Sequence, residues 1–413
     1  MYLPILGRPY EELVLMLVED MPAHVSDRAK VILQKYGERI RHLLESQPMQ
    51  FLKLQLQNGF KPLMGHRDFN VPIIPYNQIN RAYSRYFHVN VVAALNTVAS
   101  VLLSFSEKET VVLIMSGLCH DLGHSKFGHT GERMLMELFP GHDTHEERTV
   151  KLLHATKILQ VFSQLGVTWQ DVANVVDERG RLGAVQRLID STAWTMHDVL
   201  VPGFYGEHDE EAAFVFLRQV LLSISKMESN TFVLNSTAGI QEVADRRALL
   251  FRDWFRSHLA ERSQWSMIAA MRVMFKQEWL TPDDLFSHDC HELELVQRLR
   301  ERASSEGGFL GQWVTDLMSV PNDLRFPDNR WYVQSFTDGG EQEWINANVD
   351  PHVRGYIVQT PMQNGAKLVK KFPILVEGHS DLTVIMTDPE ILRVASTTDR
   401  SFVIVPNFIP HPA

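Results

Sequence analysis

Cysteine is scarce in this chain. Of 413 residues only Cys119 and Cys290 carry a thiol. Neither sits in a Cys-x-x-Cys pair, which argues against thiolate zinc sites and against a disulfide framework and suits a reducing cytoplasm. No apolar run approaches the length of a bilayer span. The opening MYLPILGRPYEE has no basic n-region and no adequate apolar core for a signal peptide, so the Asn235-Ser236-Thr237 sequon is not read as a glycosylation site. Excess positive charge is missing too: the formal net charge is −10, which argues against nucleic-acid binding by bulk electrostatics and leaves room only for a local basic pocket. Neither common glycine-rich phosphate loop occurs, which weakens P-loop and dinucleotide-fold readings.

What the chain does have is apolar residues, 45% of the total, enough for a substantial core, and a local concentration of histidine. Seven of its 18 His lie between His88 and His154, where even spreading would put about three. The densest part is residues 110–132, TVVLIMSGLCHDLGHSKFGHTGE. Its apolar start is too crowded to show one face and suits a buried helix or strand. Continuation through Leu118 and Cys119 into His120-Asp121 favours a helix, with Gly123 as its left-handed end. Such an element delivers His120, Asp121, His124 and His129 into one small volume. A carboxylate buried among imidazoles needs compensation. A divalent cation provides it, since neutral imidazole and carboxylate are good ligands for first-row metals.

The rest reads as mostly helical. Residues 9–57 form an N-terminal helical layer, with Ser26 capping a helix that turns Val31, Ile32, Ile40, Leu43 and Leu44 inward. Residues 58–80 read as loop. A helix runs from Val89 with Val91, Val92, Leu95, Val98 and Leu102 on one stripe, and Arg85 and His88 at its entry. GERMLMELFPG is a short amphipathic helix, and Thr144 caps the next at His145. Asp190 sits on an otherwise apolar helix, sharing a face with Trp194, His197 and Asp198, and needs a partner there. Helices follow over residues 214–227 and 241–279, the latter with Arg246, Arg247, Arg252 and Arg256. Another opens at Thr281-Pro282, and HELELVQRLRERA follows it. From about Gly307 the runs RWYVQSF, VRGYIVQT, KFPILVEG, DLTVIMTD and SFVIVPNF alternate with Gly, Pro, Asn and Asp, which predicts strands and one helix near residues 389–395. The expected organisation is an N-terminal helical layer and loop (1–80), a helical core (81–305) and a smaller β-rich part (306–413).

His88, His120, Asp121 and Asp190 thus make two imidazoles and two carboxylates from three helices, a common way to build a metal site in a helical bundle. With RYFH (residues 85–88), GLCHDLGHSKFGH (117–129), THEERT (144–149) and DSTAWTMHD (190–198), this order resembles the HD-domain deoxynucleoside triphosphate triphosphohydrolases, which include bacterial dGTPases and the SAM-and-HD-domain restriction factor. The resemblance covers roughly residues 75–300. It implies a mainly α HD-domain bundle with a smaller α+β C-terminal part. It also implies a divalent ion (Mn, Mg, Fe, Co or Zn) held by His88, His120, Asp121 and Asp190, with catalytic His129, Glu132, His145 and Arg85. His124, Lys126, Trp194, Asp198 and Arg247 become the substrate contacts. The implied substrate is a dNTP, cleaved at the α-phosphate to deoxynucleoside and triphosphate, and the implied state is a cytoplasmic homo-oligomer. Ser191 stands where some members have Lys and Trp194 where many have Tyr, which leaves base and sugar selectivity open. Two other readings stand beside this one. One is an HD-type phosphodiesterase acting on cyclic or other nucleotides, although no Gly-Tyr-Pro signature follows the His-Asp. The other is a non-catalytic, nucleotide-sensing HD protein, which the intact ligand positions disfavour.

Overall fold

A computed structural model describes residues 7–57, 79, 81, 83–200, 210–250 and 258–319. Beyond these it describes 331–336, 343, 346–347, 358–359, 372–376, 382–385 and 401–406. The architecture is mainly α. The N-terminal layer consists of α1 (Tyr10–Val18), α2 (Ala23–Leu44) and α3 (Gln47–Phe51). The centre is α4 (Arg85–Leu102) against α5 (Glu107–Cys119). Residues 87–101 of α4 are all buried, because the helix has no charged face to offer water. Its few polar groups are matched internally: Asn96 donates to the Leu113 carbonyl and to Gln186, and Thr97 bonds the Tyr10 hydroxyl. Helix α5 is buried from Thr110 to Cys119 and starts at a capping box of Ser106 and Glu109.

Short helices follow: α6 (Gly128–Leu138), α7 (His145–Leu152), α8 (Thr156–Leu165) and α9 (Trp169–Val176), before the long α10 (Gly180–Leu200) packs on α4 and α5. Thr144 caps α7 through a box with Glu147. Then come α11 (Glu210–Leu222), α12 (Ala238–Leu250), α13 (His258–Lys276), α14 (Pro282–Phe286), α15 (Glu292–Glu306) and α16 (Gly308–Ser319). Two apolar clusters form. One lies around α1, α2, α4, α5 and α8 to α12. The other joins Phe127, Met134 and Leu135 to α13, α15 and α16. No helix among the described residues is long and apolar enough to cross a membrane.

Several expectations change. Helix α2 starts at Ala23 behind Pro22, upstream of Ser26. Val31 is 60% exposed, since the buried stripe runs through Ile32, Tyr36 and Ile40. Helix α4 begins at Arg85, four residues before Val89, because Ser84 caps it. The helix expected over residues 214–227 stops at Leu222. Strand β1 (Ile224–Glu228) then pairs antiparallel with β2 (Thr231–Leu234) across a turn at Ser229, whose φ of 56° is left-handed. The arginine-rich pattern over 241–279 divides into α12 and α13, with Arg252 and Arg256 outside the described residues. Residues 308–319 are helical and pack on α13 and α15.

Each of the five C-terminal apolar runs carries a strand: β3 (Trp331–Phe336), β4 (Val358–Gln359), β5 (Phe372–Val376), β6 (Leu382–Ile385) and β7 (Ser401–Pro406). They enter a four-stranded sheet of order β1-β2-β5-β6, with β2 and β5 parallel, and an antiparallel sheet of order β3-β7-β4. The helix expected near 389–395, and the loop 58–80 apart from position 79, lie outside the described residues.

Candidate active site

Three helices bring four side chains together. His88 stands on the first turn of α4, His120 and Asp121 follow the end of α5, and Asp190 lies midway along α10. His88 Nε2 is 3.0 Å from Asp190 Oδ1 and 3.3 Å from His120 Nε2, and His120 Nε2 is 3.4 Å from Asp190 Oδ1. His120 Nδ1 lies 2.8 Å from the Gly117 carbonyl. A carbonyl only accepts, so Nδ1 carries the hydrogen and Nε2 turns toward His88 and Asp190. Asp121 Oδ2 accepts from Arg85 Nη1 at 2.7 Å, while Oδ1 lies 3.5 Å from Nε2 of both His120 and His124. His88, His120 and Asp121 each bring a ligand atom within 4.8 Å of the others, and Asp190 Oδ1 lies against both imidazoles; such nitrogens and oxygens are the donor set of a divalent first-row cation. The residues present therefore fit the group.

The electrostatics follow from burial among charges. Burial pushes the Asp121 carboxyl up, but the charges of His120, Arg85 and His124 prevail and hold it well below the usual carboxylate range. Burial likewise opposes ionisation of Asp190, and its bonds to His120 and His88 outweigh that. His124 is driven well below its usual range by burial and by the Arg85 charge. Asp190 keeps 37% of its side chain exposed while His88 keeps 2%, so the cluster opens on the α10 side.

A second group lies alongside. His124, His129, Glu132 and His145 each bring a ligand atom within 4.8 Å of the others. The His124 and His145 rings stack at 4.0 Å. Glu132, on α6, lies 3.0 Å from His145 Nδ1 and 3.3 Å from His129 Nδ1, and it also accepts from the His145 backbone N–H. Burial raises the Glu132 carboxyl, but its bonds to His129 and His145 leave it lowered. The His129 side chain is 73% exposed. Gly123 makes this assembly possible for a different reason from the expected left-handed turn. A Cβ there would lie 1.9 Å from the His145 carbonyl oxygen, so glycine is needed for the close approach of α7. Gly123 N–H also donates to Thr149 Oγ1.

Of the expected substrate contacts, His124 lies between the two groups, and the Arg247 guanidinium lies 4.6 Å over the Trp194 ring. The side chain of Asp198 is outside the described residues. Lys126 is a correction. It is fully buried, and Nζ donates to the carbonyls of Ser287 at 2.6 Å and Asp284 at 3.2 Å. It is a strut between the histidine loop and the α14 segment.

Three further residues escaped the sequence reading. Gln55 is buried and donates to the His124 carbonyl at 3.0 Å. Glu292, also buried, accepts from the Phe127 N–H. His197 was placed on the Asp190 face without a role. It is buried against Tyr83 at 4.5 Å and Phe87 at 5.2 Å, with neither ring nitrogen hydrogen-bonded among the described residues. Only its spacing from Asp190 could have flagged it.

Comparison with known proteins bears on this cluster. The HD domain family model matches residues 89–184. This segment contains His120 and Asp121, begins one residue after His88 and ends six before Asp190. A deoxyguanosinetriphosphate triphosphohydrolase-like protein from Rickettsia bellii (strain RML369-C) is 34% identical over 77 residues, 18% of this chain and 20% of that protein. The chain thus matches about a fifth of that relative's length. Among solved structures, a phosphohydrolase from Bacteroides thetaiotaomicron VPI-5482 superposes with a TM-score of 0.61 at 12% identity, covering 89% of this chain and 95% of that one. A hypothetical protein from Aquifex aeolicus gives 0.51 at 14% identity, with 89% and 92% covered. At these identities the likeness is one of fold.

Proposed function

We propose, from the HD domain match over residues 89–184 and the partial likeness to a deoxyguanosinetriphosphate triphosphohydrolase-like protein, that the chain is a cytoplasmic, metal-dependent dNTP triphosphohydrolase that releases deoxynucleoside and inorganic triphosphate. The observation that carries this reading is the convergence of His88, His120, Asp121 and Asp190 beside the His129–Glu132 pair. The four would hold a divalent ion, one of Mn, Mg, Fe, Co or Zn. When bound, such an ion would polarise a phosphoryl oxygen and acidify water.

The side chains supply the rest. Arg85, fixed by Asp121, stabilises phosphate charge that grows in the transition state. The 5′ oxygen of the nucleoside is a poor leaving group and needs a proton. His129 is placed to supply that proton from Nε2, while Glu132 holds the ring through Nδ1. Glu132 also anchors His145, which with His124 faces the phosphates. Trp194 under Arg247 offers a flat surface to the nucleoside. Assembly into a homo-oligomer belongs to the same reading.

The test is a panel of dNTPs and cyclic nucleotides with Mn, Mg, Fe and Co, scored for free triphosphate by ion-exchange chromatography. Asp121→Ala and His120→Ala should lose both bound metal and turnover. An active, metal-free Asp121→Ala protein would reject the reading. The second histidine–glutamate group favours one rival, a phosphodiesterase with two ions. Cleavage of cyclic nucleotides without triphosphate release would select it.

A further inference from the structure

The helix that carries His129 and Glu132 starts in an unusual way. An N-cap residue is normally extended and uses a side-chain oxygen to satisfy the first free N–H groups. The N-cap of α6 is Phe127, with φ 67° and ψ 13°, left-handed and without a capping side chain. A bulky residue rarely adopts this conformation and persists there only when its surroundings enforce it. Gly128 is left-handed as well, with φ 52°, and a Cβ there would lie 2.6 Å from Arg85 Nη2. Residues 127 and 128 therefore set both the direction of the first turn of α6 and its approach to Arg85.

The enforcing contacts come from a segment some 160 residues away. Lys126 N–H donates to the Leu285 carbonyl at 3.0 Å. Lys126 Nζ donates to the carbonyls of Asp284 and Ser287. Phe127 N–H donates to Glu292 Oε2 at 3.1 Å. Glu292 has no exposed surface and is the first residue of α15. Its own helix does not need it as a cap, because His291 Nδ1 accepts from the Leu293 N–H. A buried carboxylate is tolerated at this place because the helix N-terminus and the Phe127 N–H both favour negative charge.

We propose that Glu292 is a positioning residue: through the Phe127 N–H it holds the left-handed start of α6, and so aims His129 and Glu132 at the reacting phosphate. The catalytic part of this statement rests on the function proposed above; the conformational part does not.

The experiment compares Glu292→Ala, Glu292→Gln and Glu292→Asp in the full chain. It reads hydrogen exchange of residues 124–132 by mass spectrometry, Mn²⁺ affinity by titration, and kcat and KM with the best dNTP. Gln keeps an acceptor oxygen in place and should behave like the parent in all three. Ala removes the acceptor, so exchange at 127–131 should quicken about tenfold or more. Turnover should then fall on the order of a hundredfold, as expected when a catalytic group is misplaced by about an ångström. Mn²⁺ affinity should stay within a few-fold, because His88, His120, Asp121 and Asp190 are not on α6. Should Ala prevent folding, Asp decides, because it keeps a buried carboxylate but withdraws it from Phe127; faster local exchange with lower kcat is expected. Unchanged exchange at 127–131 in the folded Ala or Asp variant overturns the proposal, as does full turnover despite faster exchange. A parent protein without dNTP turnover would reject the proposed function, while the exchange measurement still decides whether Glu292 holds the loop.

Discussion

Protons should compete with the cation for His120, and the competition can be sized. Burial pulls the His120 imidazolium down. The Asp121 charge, the bond and charge of Asp190 and the Gly117 carbonyl more than offset it, leaving a pKa raised to about 9. Binding through Nε2 requires the neutral ring. At about pH 7 only about one molecule in a hundred offers it, so cation affinity should be roughly a hundredfold below its alkaline limit, or roughly 3 kcal/mol. Apparent Mn²⁺ affinity should climb about tenfold per pH unit between about pH 6.5 and 8.5. Calorimetry in buffers of different ionisation enthalpy should count close to one proton released per ion at about pH 7. An affinity flat across that range, with no proton released, would refute the argument and mean that the ring is already neutral.

Three other outcomes follow from the same geometry. The raised His120 pKa stabilises the metal-free protein fully below the unfolded value of about 6.5 and is lost as pH rises through about 9. The melting temperature in chelator should therefore fall over that window, and a rise would contradict the sign. Gly123→Ala should cost about 1–3 kcal/mol and most of the turnover, since its Cβ would meet the His145 carbonyl at 1.9 Å. Thermal melts with parallel assays check this, and parent-like values would mean that α7 can yield. His197→Phe should raise stability by about 1 kcal/mol, because it replaces a buried imidazole whose two nitrogens are unpartnered among the described residues. A lowered melting temperature would reveal a partner for that ring.

That His88, His120, Asp121 and Asp190 come close together could be read from the sequence because the signals are local. His120-Asp121-x-x-His124 follows a buried apolar run, and Asp190 interrupts an apolar helical face, so each announces a need for compensation. Thr144 and Thr281 likewise carry their capping chemistry within a few residues. Failures came where the deciding partner is distant or where one residue type serves two purposes. Gly123 suits a left-handed turn and a close approach equally well, and only the position of His145 distinguishes them. Lys126 resembles a phosphate-binding lysine until the carbonyls of Asp284 and Ser287 are seen to surround it. Nothing near Phe127 in sequence signals a left-handed residue, because its acceptor is Glu292. Val31 is apolar and lies next to Ile32, yet it falls off the buried stripe by one position. Residues 224–228 continue an apolar helical pattern, and what makes them a strand is the partner at 231–234.

The sheet that unites β2 with β5 sets a practical limit on dissection. Phe232, Val233 and Leu234 align with Ile374, Leu375 and Val376 across that parallel pair, so the middle of the chain borrows a neighbour from far downstream. A fragment cut after α16 would strip one side of β2 of its ladder and expose unpaired amide and carbonyl groups beside apolar side chains. Such an edge recruits other copies of itself. Poor solubility of that fragment would then reflect a missing strand, and would say nothing about whether the histidine-bearing helices can fold.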